Sequence, residues 1–526
     1  MKFIFILCLS FYSYFLSATN YIQAAEKINV QFEEMTIPIE IDQLINLVTY
    51  KSDSTELIAW LKENGFQRVL ELSKYLEFPI FKEGDFSKHI LRSWIGRKVL
   101  TEMSNIIIIP NDNDGVQVFN TIEGLLEKNS EVSTLDILKA LPKQEIILDV
   151  DNLILIISSW KKKLFDQQTL VSKLNSLKGI DEKTSLSFLK DKDIDRGRDI
   201  KPIRMQLKVA HRDKPLSTEL WISKKQNFNK ELIIFMPGLG GDIENFRWLG
   251  AKLSKLGWPI LFIEHAGSDS EALKAFMEGE AALPGGADFY LYRIKDLNEV
   301  VNAHKNDVFG TNNDSYILMG HSLGSLIAFL YEGNPPKNGF NLRCDEELKD
   351  FALTNLSKLL QCQLSEIPLP KLRKANKSKA LIGFNTFGSL IWPDAKSSGI
   401  DVPVLLVGGT YDLITPILGE QLKVFSSTKD NSLSRFLIVE GASHFSPIRV
   451  KSKNIKKNGD GDVFRIKKTF IGEYPNDVQN LALKVIIKFL NDLGENKGIN
   501  VVKNKEAYNL KFHILDNQKA NEISEI

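Results

Sequence analysis

Three short stretches of this chain hold the residue types that nucleophilic catalysis requires, in the order serine, aspartate, histidine. The first is Gly320-His321-Ser322-Leu323-Gly324, set between the apolar run Tyr316–Met319 and the apolar stretch up to Phe329. A serine in this pattern, with a strand before it and a helix after, sits on a sharp turn with its hydroxyl exposed above the sheet edge. The helix start turns its amide dipoles toward that hydroxyl. The second stretch, Gly408-Gly409-Thr410-Tyr411-Asp412, follows the apolar run Val404–Val407. An aspartate there can orient a histidine and stabilise its imidazolium form. The third, Glu440-Gly441-Ala442-Ser443-His444-Phe445, follows Arg435–Val439. Ser322 is the expected nucleophile, His444 the general base and acid, and Asp412 the orienting acid. All three follow the carboxyl ends of expected strands, where open α/β sheets collect ligands.

Attack of Ser322 on a carbonyl makes a tetrahedral oxyanion, which backbone N–H groups must receive. Leu323, directly after the nucleophile, supplies one. The second is expected from Pro237-Gly238-Leu239-Gly240-Gly241, after the strand Glu231–Met236, with Leu239 first and Gly240 second. Other residues have plainer readings. His321 points away from the nucleophile in such turns and packs. Asp394 and Asp401 are rival acids to Asp412. His265 and Asp269 follow the next strand and are read as structural. His89, His211, His304 and His513 show no paired metal-ligand spacing, and Cys344 and Cys362 lie too far apart for a zinc ribbon, so neither a metal nor a cofactor is expected.

Positioning these residues takes a mainly parallel sheet. Strands are expected at Ile203–Val209, Thr218–Ser223, Glu231–Met236, Pro259–Ile263, Ser315–Met319, Ala380–Phe384, Val402–Val407 and Arg435–Val439. Helices are expected at Phe246–Leu256, Leu291–His304, Leu323–Tyr331 and Asp477–Leu493. This alternation predicts an α/β fold with helices on both faces. Ahead of it, Asn29–Phe32 and Met35–Ile39 read as a hairpin. Helical spacing follows at Thr55–Asn64, Phe66–Leu76, Phe86–Met103, Val116–Glu127, Thr134–Leu141 and Leu153–Leu177, with N-caps at Asp85, Asp114 and Ser133.

The chain has 526 residues, too many for a single compact core. The division read from it is a signal peptide (1–25), a mostly helical domain (26–190), a charged linker (191–202), the catalytic domain (203–494) with an insertion at 333–379, and a polar, loosely held tail (495–526). Net charge is +1 from 67 basic and 66 acidic residues, which gives no reason to expect nucleic acid as a partner. Lys2, the apolar run Phe3–Leu16 and Ala24-Ala25 read as a cleaved secretory signal, with an uncleaved N-terminal anchor as the alternative. Export would place the protein in a periplasmic or extracellular space, or in the thylakoid lumen of a photosynthetic source. It would also leave Cys344 and Cys362 as a pair suited to a disulfide.

From "FMPGLGG" through "GHSLG", "GGTYDLITP" and "GASHF", residues 203–494 resemble the α/β-hydrolase fold. The glycine loop, Glu264-His265-Ala266-Gly267-Ser268 and the turn at Ser322 are similar to the dienelactone-hydrolase-like and platelet-activating-factor-acetylhydrolase-like branch. Signal, helical domain and hydrolase together resemble a bacterial family of exported α/β hydrolases whose N-terminal domain has no assigned function. The chain departs from its relatives in having Met236-Pro237-Gly238 where His-Gly is common. It also has a serine where dienelactone hydrolases proper use cysteine, which suits ordinary esters. In this fold the 333–379 insertion caps the active site. Its stretch Glu346–Leu360 reads as an amphipathic helix, and an apolar underside favours acyl substrates. The resemblance implies a serine esterase acting on small-molecule or lipid esters, with membrane-surface contact as a further expectation. A serine peptidase on the same fold and a catalytically vestigial binding or scaffold protein are the alternatives.

Overall fold

The computed structural model describes residues 27–32, 35–50, 73–82 (without 75 and 78), 103–110, 115–176 (without 130 and 142–144), 200–223, 230–272, 287–349 (without 312), 355–368, 378–448, 474–495, 498 and 502–524. The signal peptide, most of the linker, and nearly all of the helices expected between 55 and 102 lie outside these residues, as do Asp85 and Asp114. The chain divides into two compact units, residues 1–83 with 97–157, and residues 84–96 with 158–526.

In the first unit, strands β1 (Lys27–Phe32) and β2 (Met35–Glu40) pair antiparallel with Phe32 opposite Met35, which is the expected hairpin. β6 (Glu145–Asp149) lies parallel to β1, and β4 (Ile107–Ile108) closes the order β2-β1-β6-β4. β3 (Pro79–Lys82) pairs with β5 (Glu131–Ser133). The helices are α1 (Ile41–Tyr50), α2 (Val116–Lys128), α3 (Thr134–Ala140) and the first residues of α4 (Val150–Ser176), which from residue 158 on belongs to the second unit. α3 starts on a reciprocal cap. The Ser133 hydroxyl accepts from the Asp136 amide, and Asp136 accepts from the Ser133 amide at 2.8 Å. The unit thus adds a sheet to the helices and hairpin read from spacing. In "EIILD" Ile146 and Leu148 are buried while Ile147 and Asp149 are half-buried, an alternation too short to stand out in the sequence.

The second unit is built on a ten-stranded sheet. Its strands are β7 (Ile203–Leu207), β8 (Leu216–Trp221), β9 (Leu232–Met236), β10 (Ile260–Ile263), β11 (Tyr316–His321), β12 (Leu381–Phe384), β13 (Val404–Gly409), β14 (Arg435–Val439), β15 (Val502–Ala507) and β16 (Leu510–Leu515). They lie in the order β15-β16-β14-β13-β12-β11-β9-β10-β8-β7. Six strands from β10 to β14 run parallel, and each edge carries an antiparallel pair. The chain leaves β9 for β10 on one side and returns to β11 on the other. The crevice beyond the carboxyl ends of β9 and β11 is therefore the topological switch point, where such sheets bind ligands.

Helices α5 (Arg247–Lys255) and α11 (Pro475–Glu495) cover one face. Leu249, Leu253, Leu481, Val485 and Phe489 pack there against Ile233, Phe262, Met319 and Leu405. α7 (Leu323–Glu332) lies on the other face, where Ser325 and Phe329 close over Gly383 so tightly that a Cβ at 383 would meet the Ser325 Oγ at 2.5 Å. α6 (Asp288–Lys305) packs against α7. Among the described residues no helix is long and apolar enough to cross a membrane.

Two expectations are corrected here. The insertion forms not one amphipathic helix but two, α8 (Phe340–Lys349) and α9 (Leu356–Gln363). Asn355, with φ −141° and ψ 72°, is non-helical directly before α9. Residues 502–524 are not a loose tail: β15 and β16 extend the sheet beyond β14, and α12 (Asn517–Ser524) packs on α10 (Leu422–Ser427).

A disulfide joins Cys344 on α8 to Cys362 on α9, with Cα atoms 5.4 Å apart, inside the range a disulfide needs. Arg343 Nε donates to the Leu390 carbonyl at 2.9 Å and the Tyr290 hydroxyl to the Leu360 carbonyl at 2.5 Å, so both helices are anchored to the body. Replacing both cysteines by serine is expected to destabilise this unit by about 3 kcal/mol, from the entropy of the reopened loop in the unfolded chain. A thermal melt of the oxidised protein against the double variant measures this; coincident melts would mean the bridge contributes nothing.

Candidate active site

Ser322 stands between β11 and α7 with φ 51° and ψ −119°, a conformation that a non-glycine residue holds only when its surroundings enforce it. They do. The Ser322 amide donates to the Phe384 carbonyl at 2.9 Å. A Cβ at Gly320 would come within 2.4 Å of Gly324 backbone carbon, and one at Gly324 within 2.0 Å of the Met236 carbonyl oxygen. The two glycines of the motif are therefore required by close approach of three backbone segments.

Asp412 is fully buried and its carboxylate is surrounded by donors. Thr415 N reaches Oδ1 at 2.8 Å and Ile414 N at 3.0 Å, while Asn385 Nδ2 lies 2.7 Å, Thr415 Oγ1 2.5 Å and Gln421 Nε2 3.2 Å from Oδ2. His444 Nδ1 sits 3.1 Å from both oxygens. Burial by itself would raise the Asp412 carboxyl, but the neighbouring His444 imidazole and the hydrogen bonds from His444 and Thr415 hold it below the ordinary carboxylate range. With Nδ1 engaged by a carboxylate, Nε2 is the His444 nitrogen left for proton transfer.

His321 packs, as expected, and also ties the loops together. Its Nε2 donates to the His444 carbonyl at 3.0 Å, and its ring centroid is 5.0 Å from that of His444. Burial, then the neighbouring His444, push its pKa down to about 3, so the ring is neutral and the tautomer is set by the carbonyl. The structure thus brings the His444 loop against the turn that carries Ser322. Among the described residues the bonds of His444 run to Asp412, Thr415 and His321 rather than to the Ser322 hydroxyl. In uncomplexed enzymes that last contact often tightens only around substrate.

The glycine loop lies directly against this turn, since a Cβ at Gly238 would meet His321 Nδ1 at 3.0 Å and the Ser322 Cβ at 3.3 Å. One oxyanion donor is corrected. The Gly240 amide donates to the Ser268 carbonyl at 2.9 Å and is spent there. The amides of Leu239 and Leu323 have no backbone acceptor among the described residues.

Asp394 and Asp401 are removed as rival acids, being exposed and paired with Lys337 and Lys429. His265 is buried against Asp296, with Nδ1 2.8 Å from it, and is structural. His304 bonds the Ser315 carbonyl and His513 bonds Glu440. Asn385, Thr415 and Gln421, which hold Asp412, were not read from sequence. Thr415 alone left a trace, as part of the stretch "GGTYDLITP". A cavity of about 360 Å³ opens at the β7–β8 edge, lined by acidic groups including Glu219, Asp242, Glu264 and Asp269. It contains none of Ser322, Asp412 and His444. Among the described residues no group of three or more His, Cys, Asp or Glu is arranged to hold a metal ion.

Strand order, sharp turn and histidine loop are all in place on one sheet. The fold is that of an α/β hydrolase. Independently, residues 24–149 match a family model described as an alpha/beta hydrolase of unknown function (DUF1400). The matched residues precede the sheet that carries Ser322, so the family match and the fold of that sheet are separate observations that agree. The family description assigns no substrate. No curated protein matches the chain.

Proposed function

We propose that this α/β hydrolase is a serine esterase, cleaving carboxylic esters through an acyl-enzyme. The observation that carries the proposal is the buried Asp412–His444 pair at 3.1 Å, on loops tied by His321 to the strained turn at Ser322. In this mechanism His444 Nε2 takes the Ser322 proton as Oγ attacks the ester carbonyl. The oxyanion is received by the amides of Leu323 and Leu239. His444 returns the proton to the departing alkoxide, leaving the acyl group on Ser322. Water, deprotonated by the same nitrogen, then releases the acid. Asp412 remains ionised throughout and stabilises the imidazolium.

The substrate class we propose is a small-molecule or lipid acyl ester. Lys2 and the run Phe3–Leu16 support export, and a disulfide between Cys344 and Cys362 suits an oxidising compartment.

The test is covalent labelling of the full chain with a fluorophosphonate, followed by peptide mapping. The expected result is one modified residue, Ser322, with labelling suppressed by a nitrophenyl acyl ester. Folded protein that takes no label, or takes it on another serine, would overturn the assignment.

A further inference from the structure

Arg293 lies on α6, far from the triad in sequence, and is 1% exposed. Among the described residues its guanidinium bonds no carboxylate directly. Nη1 donates to the Pro237 carbonyl at 2.6 Å, Nη2 to the Gly238 carbonyl at 2.9 Å and the Ser268 carbonyl at 3.1 Å, and Nε to the Ser268 hydroxyl at 2.8 Å. Removing a guanidinium from water is costly, and these four acceptors offset only part of that cost. All four belong either to the glycine loop or to the segment that takes the Gly240 amide.

We propose that Arg293 is a positioning residue for the oxyanion amides: it clamps the Gly238 and Pro237 carbonyls and thereby aims and polarises the Leu239 N–H. This rests on the serine-hydrolase reading above. A trans peptide is planar, so its C=O and N–H point in opposite directions. With the Gly238 carbonyl drawn toward Arg293, the Leu239 N–H of the same peptide is turned away from Arg293. The loop itself lies beside the Ser322 turn, where a Cβ at Gly238 would meet the Ser322 Cβ at 3.3 Å. A hydrogen bond from a charged donor to the carbonyl also strengthens the N–H of the same unit. The same guanidinium fixes Ser268, whose carbonyl takes Gly240, so one cation sets which amide is spent and which is free.

A buried cluster steadies the clamp. Asp296, one turn along α6, is bonded by His265 Nδ1 at 2.8 Å, His211 Nε2 at 2.7 Å and Arg212 Nε and Nη2 at 2.6 Å each. Arg212 also donates to the Ala266 carbonyl at 2.9 Å, holding the segment that leads to Ser268. Burial lowers the Arg293 pKa to about 10, which leaves it charged at neutral pH.

The test compares wild type, Arg293→Lys and Arg293→Met by turnover per fluorophosphonate-titrated site, with thermal melts alongside. Arg293→Met is expected to lose about 10²-fold in kcat per titrated site with KM nearly unchanged, and to bind an alkyl trifluoromethyl ketone more weakly by the same factor. Arg293→Lys should recover part of the loss. A merely structural role would lower the titrated fraction and leave turnover per site alone, and per-site kcat within about threefold of wild type overturns the proposal. If neither variant folds, the structure of the wild-type phosphonate adduct decides. The phosphoryl oxygen should lie about 3 Å from the Leu239 and Leu323 amides, with Arg293 on the Gly238 carbonyl; an oxygen held by other groups overturns it. A wild type that neither labels nor turns over esters defeats the hydrolase reading and this one together, whereas an active wild type beside an unimpaired variant defeats this one alone.

Discussion

Ester turnover by a Ser322→Ala variant should fall by about 10⁵–10⁶-fold with the fold intact. Serine and alanine share the Cβ that the strained turn must accommodate. The bond from residue 322 N to the Phe384 carbonyl is a backbone bond and survives the change. What disappears is the one atom that can attack. Asp412→Asn should cost about 10⁴-fold by a different route. An amide cannot stabilise the imidazolium. Its NH₂ would also face donors at Asn385, Thr415 or Gln421 in a fully buried site, so a loss of stability of about 1–3 kcal/mol should accompany the loss of rate. The double variant should be hardly slower than Ser322→Ala, because the acid acts only through the nucleophile's activation. Steady-state kinetics with melting curves measure all three. A folded Ser322→Ala within tenfold of wild type, about 1.4 kcal/mol in barrier, would exclude Ser322 as the nucleophile.

The parts of this molecule that show in the sequence are those in which one residue type alone meets a geometric demand. Gly320 and Gly324 are read correctly because three backbone segments meet at the turn. Ser133 is read correctly because a short polar side chain at a helix start has one strong use. The Cys344–Cys362 pair follows from chemistry rather than fold. What does not show depends on partners distant in sequence. Gly240 looks as free as Leu239 until Ser268 is placed beside it. Asn385, Thr415 and Gln421 are ordinary polar residues until Asp412 lies among them. Asn355 is non-helical directly before α9, which helical spacing in the sequence on either side conceals. Arg293 reads as one more charge on an amphipathic helix, since nothing local shows that its face meets three carbonyls.

Ending the chain at Glu495 should abolish soluble, folded protein. The terminal segment looks dispensable in sequence because lysines, asparagines and glutamates surround its short apolar run, yet that run, "LKFHIL", is β16. Leu437 pairs with Ile514 and Val439 with Phe512, so the truncated sheet would end in β14 with its outer amides and carbonyls unpaired. Leu510, Phe512, Leu515, Ala520 and Ile523 are buried, and each large side chain among them accounts for about 1.5–3 kcal/mol of burial. Ordering the segment costs entropy that the shortened chain no longer bears. The apolar surface left exposed on β14 and α10 is not relieved in that way, and a long apolar edge is an aggregation site. The loss also reaches the chemistry. The Glu440 amide donates to the Lys511 carbonyl at 2.9 Å and the Glu440 carboxylate meets His513 Nε2 at 2.8 Å, four residues before His444. Even a fragment that stayed folded should therefore lose its hold on the catalytic loop. Phe512→Ala gives a graded form of the same test and should cost about 3–5 kcal/mol in a denaturant melt. A soluble truncated chain with the wild-type melt and undiminished fluorophosphonate labelling would mean that β15, β16 and α12 are an ornament on the sheet rather than its closing edge.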